Sequence, residues 1–223
     1  MDGFEISGIN IPAQQVSGDY FDYIKVDDER YGVAIADVSG KGIPASLIMA
    51  MCRSVLRCNS VGSLSPAEVL HKVNSQLYPD IKEDMFISMA YLILDNEVNT
   101  VTLARAGHDA PLLYSAKEQT VSKINPPGMA LGIDSGSVFN RITGNFSITL
   151  EQDDCLILYT DGVTEALDRH QFEFGMKNVI QAIQASAASG AAGIIKRLTD
   201  DLRNFVGTYP QNDDITLIVI RKR

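Results

Sequence analysis

The chain is short of the residues on which several large protein classes depend. It has three cysteines in 223 residues (Cys52, Cys58 and Cys155), an odd number with no C-x-x-C spacing, so neither a disulfide framework nor a zinc site is indicated. Basic residues are scarce. Lys and Arg number 19 against 28 Asp and Glu, a formal net charge of −9, which opposes nucleic-acid binding because that needs a basic footprint. No run of eighteen apolar residues occurs, so no membrane span is expected. The opening residues, Met1 to Glu5, lack the basic and apolar regions of a signal peptide, and the chain reads as cytoplasmic. There is no linker, internal repeat or low-complexity tract beyond a short Ser/Ala/Gly stretch at 186–193. With 45% hydrophobic residues, the length fits one large domain, 1–223, with a substantial core.

The apolar patterning supplies the elements. Strands are expected at 4–11, 18–23 and 31–36, the last two forming a hairpin around the polar turn Asp27-Asp28-Glu29-Arg30. Antiparallel pairing of that hairpin brings Asp19, at the start of one strand, to Asp37, at the end of the other. Gly40 and Gly42 then turn the chain into a helix over 43–59, with Pro44 in its first turn. This helix is apolar nearly all round, which predicts deep burial. Ser65, Pro66 and Glu68 form a capping box for a second helix to about residue 79. Unbroken apolar character at 85–94 predicts a strand covered on both faces, turning through Asp95-Asn96-Glu97 into a partner at 99–106. A hairpin at 111–115 and 120–124 and strands at 137–150 and 153–160 follow. Two amphipathic helices use Met176, Val179, Ile180 and Ile183, and then Ile194, Ile195, Leu198, Leu202 and Phe205, joined through 186–193 with Ser189 as the second N-cap. A strand at 214–221 closes the chain. Strands, two helices, many strands, two helices and a strand make an α+β fold with largely antiparallel sheets.

Four aspartates stand where apolar strands meet loops: Asp19, Asp37, Asp161 and Asp213. Carboxylates gathered at one end of a sandwich repel unless a cation neutralises them, and donors that are all oxygen favour Mg²⁺ or Mn²⁺. Two such ions would activate a water for attack on phosphorus. Taken singly, Asp19 and Asp37 read more readily as ordinary turn carboxylates than as ligands. The segment Ser39-Gly40-Lys41-Gly42 does not fit a nucleotide P-loop, because Lys41 is followed by Gly and no Gly stands five before Gly40.

Six segments in order, Ser17–Asp22, Ala36–Ala45, Met85–Met89, Ala106–Leu113, Tyr159–Ala166 and Asp213–Leu217, resemble the successive motifs of bacterial SpoIIE/RsbU-type serine/threonine phosphatases of the metal-dependent PPM class. The resemblance implies a four-layer α/β-β/α sandwich of two mostly antiparallel sheets flanked by helix pairs. It implies two Mn²⁺ or Mg²⁺ ions held by Asp19, Asp37, the Val38 carbonyl, Asp161 and Asp213, with Asp37 bridging both. Direct attack of a metal-bound hydroxide on the phosphate, with no covalent enzyme intermediate, is implied too. The substrate so implied is phosphoserine or phosphothreonine on an anti-sigma-factor antagonist in a partner-switching circuit. Family members are often fused to sensor or receiver domains, here placed N-terminal in a longer parent. Their activity is often tied to dimerisation and to movement of the helices at 43–59 and 66–79.

Val38-Ser39 stands where eukaryotic relatives carry a His proposed as general acid, so the leaving serine must be protonated by water, Lys41 or another group. Lys41 replaces a common His, Arg105 a common Asn, and Ser17 a usual Gly. Asp214 reads as a support for Asp213, Asp22 as structural or supporting, and His108 as either substrate-facing or structural. His71 reads as a helix-surface residue and His170 as a loop residue. The alternatives are a pseudophosphatase that binds a signalling partner without turnover, and a two-metal phosphodiesterase or nucleotidase.

Overall fold

The computed structural model describes residues 3–82, 84–96 and 98–223; the expected turn residue Glu97, and Met1 and Asp2 of the N-terminal reading, lie outside the described residues. In chain order the elements are β1 (Phe4–Ile11), β2 (Tyr20–Lys25), β3 (Arg30–Val38), α1 (Ile43–Ser60), α2 (Pro66–Leu77), β4 (Ile87–Asp95), β5 (Thr100–Ala106), β6 (Leu112–Ser115), β7 (Thr120–Lys123), α3 (Phe139–Ile142), β8 (Phe146–Thr149), β9 (Cys155–Tyr159), α4 (Gly175–Ser186), α5 (Gly190–Val206) and β10 (Ile215–Lys222). This is the expected mixed fold of two antiparallel sheets with helix pairs. The contacts divide it into two compact units.

One unit, residues 15–110 and 125–149, carries the sheet β2-β3-β4-β5-β8. Its core joins sheet residues such as Ala34, Ala36, Met89 and Tyr91 to Cys52 and Leu56 of α1 and Val69, Leu70, Val73 and Leu77 of α2. The α2 cap forms as the sequence predicts, with Ser65 Oγ accepting from the Glu68 N–H at 3.2 Å. The expected deep burial of α1 is not what the fold shows. Only Ala45, Cys52, Leu56 and Ser60 are buried, and Ile43 and Leu47 are 69% and 67% exposed. A helix lying on one sheet face buries one stripe whatever the rest of its surface is made of.

The expected strand over 137–150 is a short helix followed by β8. Asp134 Oδ1 accepts the backbone N–H groups of Gly136, Val138 and Phe139 at 2.8–3.0 Å, which winds the chain into α3 before it can extend. Asn74, fully buried on α2, anchors this segment: its amide donates to the Asp134 carbonyl at 2.8 Å and accepts from Gly132 N–H at 2.9 Å. His71, expected on the helix surface, is half-buried instead, bonded to the Thr143 carbonyl at 2.8 Å and edge-on to Phe139.

The other unit, residues 1–14, 111–124 and 150–223, carries the sheet β1-β10-β9-β6-β7. Its core packs Ile157, Tyr159, Leu217 and Val219 against Val179 and Ile183 of α4 and Ile194, Leu198 and Leu202 of α5. The joint between the helices is shorter than the expected 186–193, a single tight turn at 187–189. Ser189 stands at the N-cap of α5 without a side-chain capping bond. Glu5 of β1 does part of that work from a distance, accepting the Ala191 N–H at 3.2 Å, a carboxylate placed at the positive end of the helix.

Candidate functional site

In the first unit the β2–β3 hairpin sets the geometry. Tyr20 pairs with Ala36 and the register runs antiparallel, so one step beyond the ladder Asp19 stands across from Asp37. Facing positions on one side of an antiparallel pair are about 4.5–5.5 Å apart at Cβ. Asp19 is buried at 5% exposure, with its N–H on Ser17 Oγ at 3.1 Å. Asp37 lies in the β3–β4 ladder opposite Ser88, and Val38 opposite Ile87.

Gly18 brings the backbone before Asp19 against the end of β3. A Cβ at Gly18 would stand 3.3 Å from the Val38 carbonyl oxygen and 3.3 Å from Ala45 Cβ. The turn after Val38 uses left-handed backbone at Gly40 (φ 88°) and Gly42 (φ 73°), as only glycine does cheaply. It is fastened on both sides. Ser39 N–H donates to the Phe86 carbonyl at 3.0 Å, Phe86 N–H to Ser39 Oγ at 2.8 Å, and Ser46 Oγ to the Ser17 carbonyl at 2.9 Å. Asp19, Asp37 and Val38 thus share one stiff corner.

Asp161 and Asp213 share a corner of the second unit. Asp161 opens a 3₁₀ turn, Asp161–Val163, directly after β9. Thr160 N–H donates to the Thr216 carbonyl at 3.1 Å and Thr216 N–H to Thr160 Oγ1 at 2.9 Å, locking that turn to the start of β10. Gly162 makes the approach tighter still: a Cβ there would lie 2.0 Å from the Asp214 carbonyl oxygen and 3.4 Å from Asp213 Cβ. Asp213 Oδ1 accepts the Asp214 N–H at 2.9 Å, and Asp214 Oδ1 accepts the Ala13 N–H at 2.7 Å. Asp214 is therefore a brace between the chain after β1 and β10, in line with its expected supporting part.

The remaining candidates fall into structural places. His108 is buried, with Nδ1 2.8 Å from Ser88 Oγ and its carbonyl accepting from Arg105 Nη1 at 2.6 Å. Arg105 also donates through Nε to the Pro126 carbonyl at 2.8 Å, so it ties two loops together. Lys41 is exposed in the glycine turn, and His170 is an exposed loop residue as expected.

Asp22 is structural: its carboxylate receives Arg57 Nε and Nη2 at 2.5 and 2.6 Å and the Tyr20 hydroxyl, joining β2 to α1. Burial alone would raise the Asp22 carboxyl, but the Arg57 and Tyr20 hydrogen bonds hold it below the usual carboxylate range. Burial, reinforced by Asp22, raises the Tyr20 phenol. A depressed carboxyl contributes stability that is present above its unfolded value, about 3.9, and lost as pH falls through its folded value. Asp22→Asn is expected to cost about 2 kcal/mol at pH 7. In urea melts of both proteins that gap should narrow below about pH 4. A gap constant from pH 7 to pH 3 would count against the pair.

Among the described residues, no group of three or more His, Cys, Asp or Glu side chains is gathered closely enough to hold a metal ion. The expected donors come instead as two pairs, one in each unit. Their chemistry fits a hard divalent cation, since all are oxygens and no His or Cys is among them. Asp19, a carboxylate nearly withdrawn from water, is the kind of donor that gains most from a cation.

A family model described as Stage II sporulation protein E (SpoIIE) matches residues 27–223. The chain is 32% identical over 222 residues to "Phosphoserine phosphatase RsbU" of Bacillus subtilis (strain 168), covering 100% of this chain and 64% of that protein, so it spans less than two thirds of that relative. Among solved structures it is similar to the "SiaA-PP2C domain of Pseudomonas aeruginosa", with 21% identity, a TM-score of 0.83, and coverage of 98% of this chain and 85% of the other. It is also similar to "RsbX in complex with magnesium", with 16% identity, a TM-score of 0.73, and coverage of 100% and 97%. These two likenesses concern the PP2C-type fold.

Proposed function

We propose that this chain, which belongs to the SpoIIE family, is a metal-dependent protein serine/threonine phosphatase whose residues 1–223 work as one catalytic domain. The observation that carries this reading is the pairing of the four motif aspartates by register and close backbone approach: Asp19 with Asp37 and Val38, and Asp161 with Asp213. The RsbU likeness over the whole chain supports the phosphoserine chemistry. Asp19, Asp37, the Val38 carbonyl, Asp161 and Asp213 are the residues that would hold two Mn²⁺ or Mg²⁺ ions. When bound, such ions act as Lewis acids on the phosphoryl oxygens and supply a nucleophilic water at neutral pH.

The chain's own residues provide position. The Ser39–Phe86 hydrogen bonds and the Ser46–Ser17 bond keep the Asp19 and Val38 oxygens from drifting. The Asp214–Ala13 brace does the same for Asp213. The departing serine oxygen needs a proton, and His108 contacts Ser88 through Nδ1. Water, Lys41 or another group would deliver it. The substrate is a phosphoserine or phosphothreonine on a cytoplasmic signalling protein of the anti-sigma-factor antagonist kind. In a longer parent, an N-terminal regulatory domain and self-association would set the rate. No helix among the described residues is long and apolar enough to cross a membrane.

The test compares a phosphoserine protein or peptide with a phosphodiester and a nucleotide, each with Mn²⁺ and again with EDTA. Metal-dependent phosphate release from the phosphoserine substrate is expected. Preference for the diester or nucleotide would replace the reading with a phosphodiesterase or nucleotidase, and tight binding without turnover would replace it with a binding module.

A further inference from the structure

The unit that carries Asp161 and Asp213 also holds an open cavity of about 240 Å³. Its apolar wall is made by Ile11, Ala166, Leu202, Val206 and Ile215. Two lining residues belong to the stretches that carry the aspartates. Ala166 lies five residues after Asp161, and Asn212 immediately precedes Asp213. Adjacent Cα atoms are about 3.8 Å apart, so the wall begins one residue from a candidate metal donor.

Polar groups at the rim are engaged with the protein itself. Thr199 Oγ1 donates to the Ile195 carbonyl at 2.9 Å, and Gln211 Nε2 to the Ile11 and Asp213 carbonyls at 2.8 and 2.7 Å. Asn212 Nδ2 donates to the Glu165 carbonyl at 3.4 Å, and Arg203 pairs with Asp200 at 3.3 Å. Thr199, Gln211 and Asn212 are so used, Arg203 and Tyr209 stand at the open rim, and the wall itself offers an occupant burial of apolar surface. A polar tip pressed against the Ile11, Leu202, Val206 and Ile215 wall would lose its water with little in return. The volume falls below the roughly 300–1,000 Å³ of sites for drug-sized ligands and suits a single side chain.

We propose that this cavity is a specificity pocket. It seats one aliphatic or aromatic side chain of the phosphoprotein, roughly two to four residues from the phosphoserine, a span of about 7–14 Å of extended chain. The assignment rests on the phosphatase reading above and adds to it a sequence preference: apolar, not charged, at one flanking position.

The experiment uses the full chain, Mn²⁺, and phosphoserine peptides in which Leu, Phe, Ala or Asp is placed at each position within four residues of the phosphoserine. At one position kcat/KM for the Leu or Phe peptide should exceed that for the Ala peptide by roughly 10- to 100-fold, the value of burying one large side chain. Thr199→Phe, which fills the cavity from α5, should bring that ratio close to one. Because the ratio is taken within one enzyme, partial misfolding of the variant does not mimic the result. A flat profile in an active wild-type enzyme, or a ratio that survives Thr199→Phe, overturns the pocket and leaves the phosphatase reading intact. Absence of turnover with every peptide and with para-nitrophenyl phosphate overturns both.

Discussion

Asp37→Asn should lower Mn²⁺-dependent hydrolysis of para-nitrophenyl phosphate by more than about a hundredfold, beyond the loss typical of residues that merely orient metal ligands. The nitrophenolate leaves without a proton, so the assay isolates metal and water from the unsettled question of the acid. The substitution keeps shape and removes one charge, and Asp37 sits in a ladder held by backbone bonds that Asn leaves in place. The variant should therefore fold. Its melting temperature without metal, read beside that of the wild type, checks the fold before activities are compared. Saturating Mn²⁺ at about a hundred times its dissociation constant should stabilise the wild type by about 2.7 kcal/mol, or roughly 5–10 °C, and the variant far less. Full activity in a folded Asp37→Asn protein would remove this residue from the metal centre. So would an equal thermal shift in both proteins.

Gly162→Ala is the other large expected effect. The added methyl would meet the Asp214 carbonyl oxygen at 2.0 Å, and a backbone oxygen cannot swing aside as a side-chain tip can. Either the turn Asp161–Val163 or the segment Asp213–Asp214 leading into β10 must move, and each carries a candidate donor. Overpacking of this kind costs about 1–3 kcal/mol and here belongs at the upper end, a fall in Tm of roughly 6–12 °C. The more telling readout is the Mn²⁺ concentration for half-maximal activity, which should rise because Asp161 is displaced from Asp213. Gly62→Ala is the control: a Cβ there meets nothing within 4 Å, although φ is 74°, so it carries backbone strain without the clash. Similar metal responses in the two variants would mean that the close packing at Gly162 has no bearing on the donors.

Much of this was legible because the decisive features are local. The Asp27–Arg30 turn and its flanking strands fix a register, and a register fixes which aspartates face each other. Ser65, Pro66 and Glu68 announce a helix start through bonds no more than three residues long. The failures came where distant groups decide. Val138, Phe139 and Ile142 look like strand residues until Asp134 collects three N–H groups and Asn74 holds the segment from α2. Apolar residues on α1 say nothing of which stripe meets the sheet, so the exposure of Ile43 and Leu47 has no signal in the sequence. Ser189 carries the chemistry of a cap, yet Glu5, 186 positions away from Ala191, bonds the first turn of α5. The apolar cavity beside Asn212 assembles residues from β1, α5, β10 and two loops, a grouping without any periodicity to betray it.

β10 lies between β1 and β9, so the edge strand β1 pairs with a strand from the opposite end of the chain: Asn10 bonds Thr216, 206 positions later. On a ribosome making roughly 5–20 residues each second, β1 emerges on the order of 10–40 s before the strand it must pair with. Through that interval it is an edge without a partner, exposed to chaperones or to other nascent chains. The unit built from residues 15–110 and 125–149 has no such wait, since its last strand is complete by Thr149. Synthesis thus imposes an order on a molecule whose finished sheets give no sign of one, and Asp19, Asp37 and Val38 are in place while Asp161 and Asp213 are still unmade.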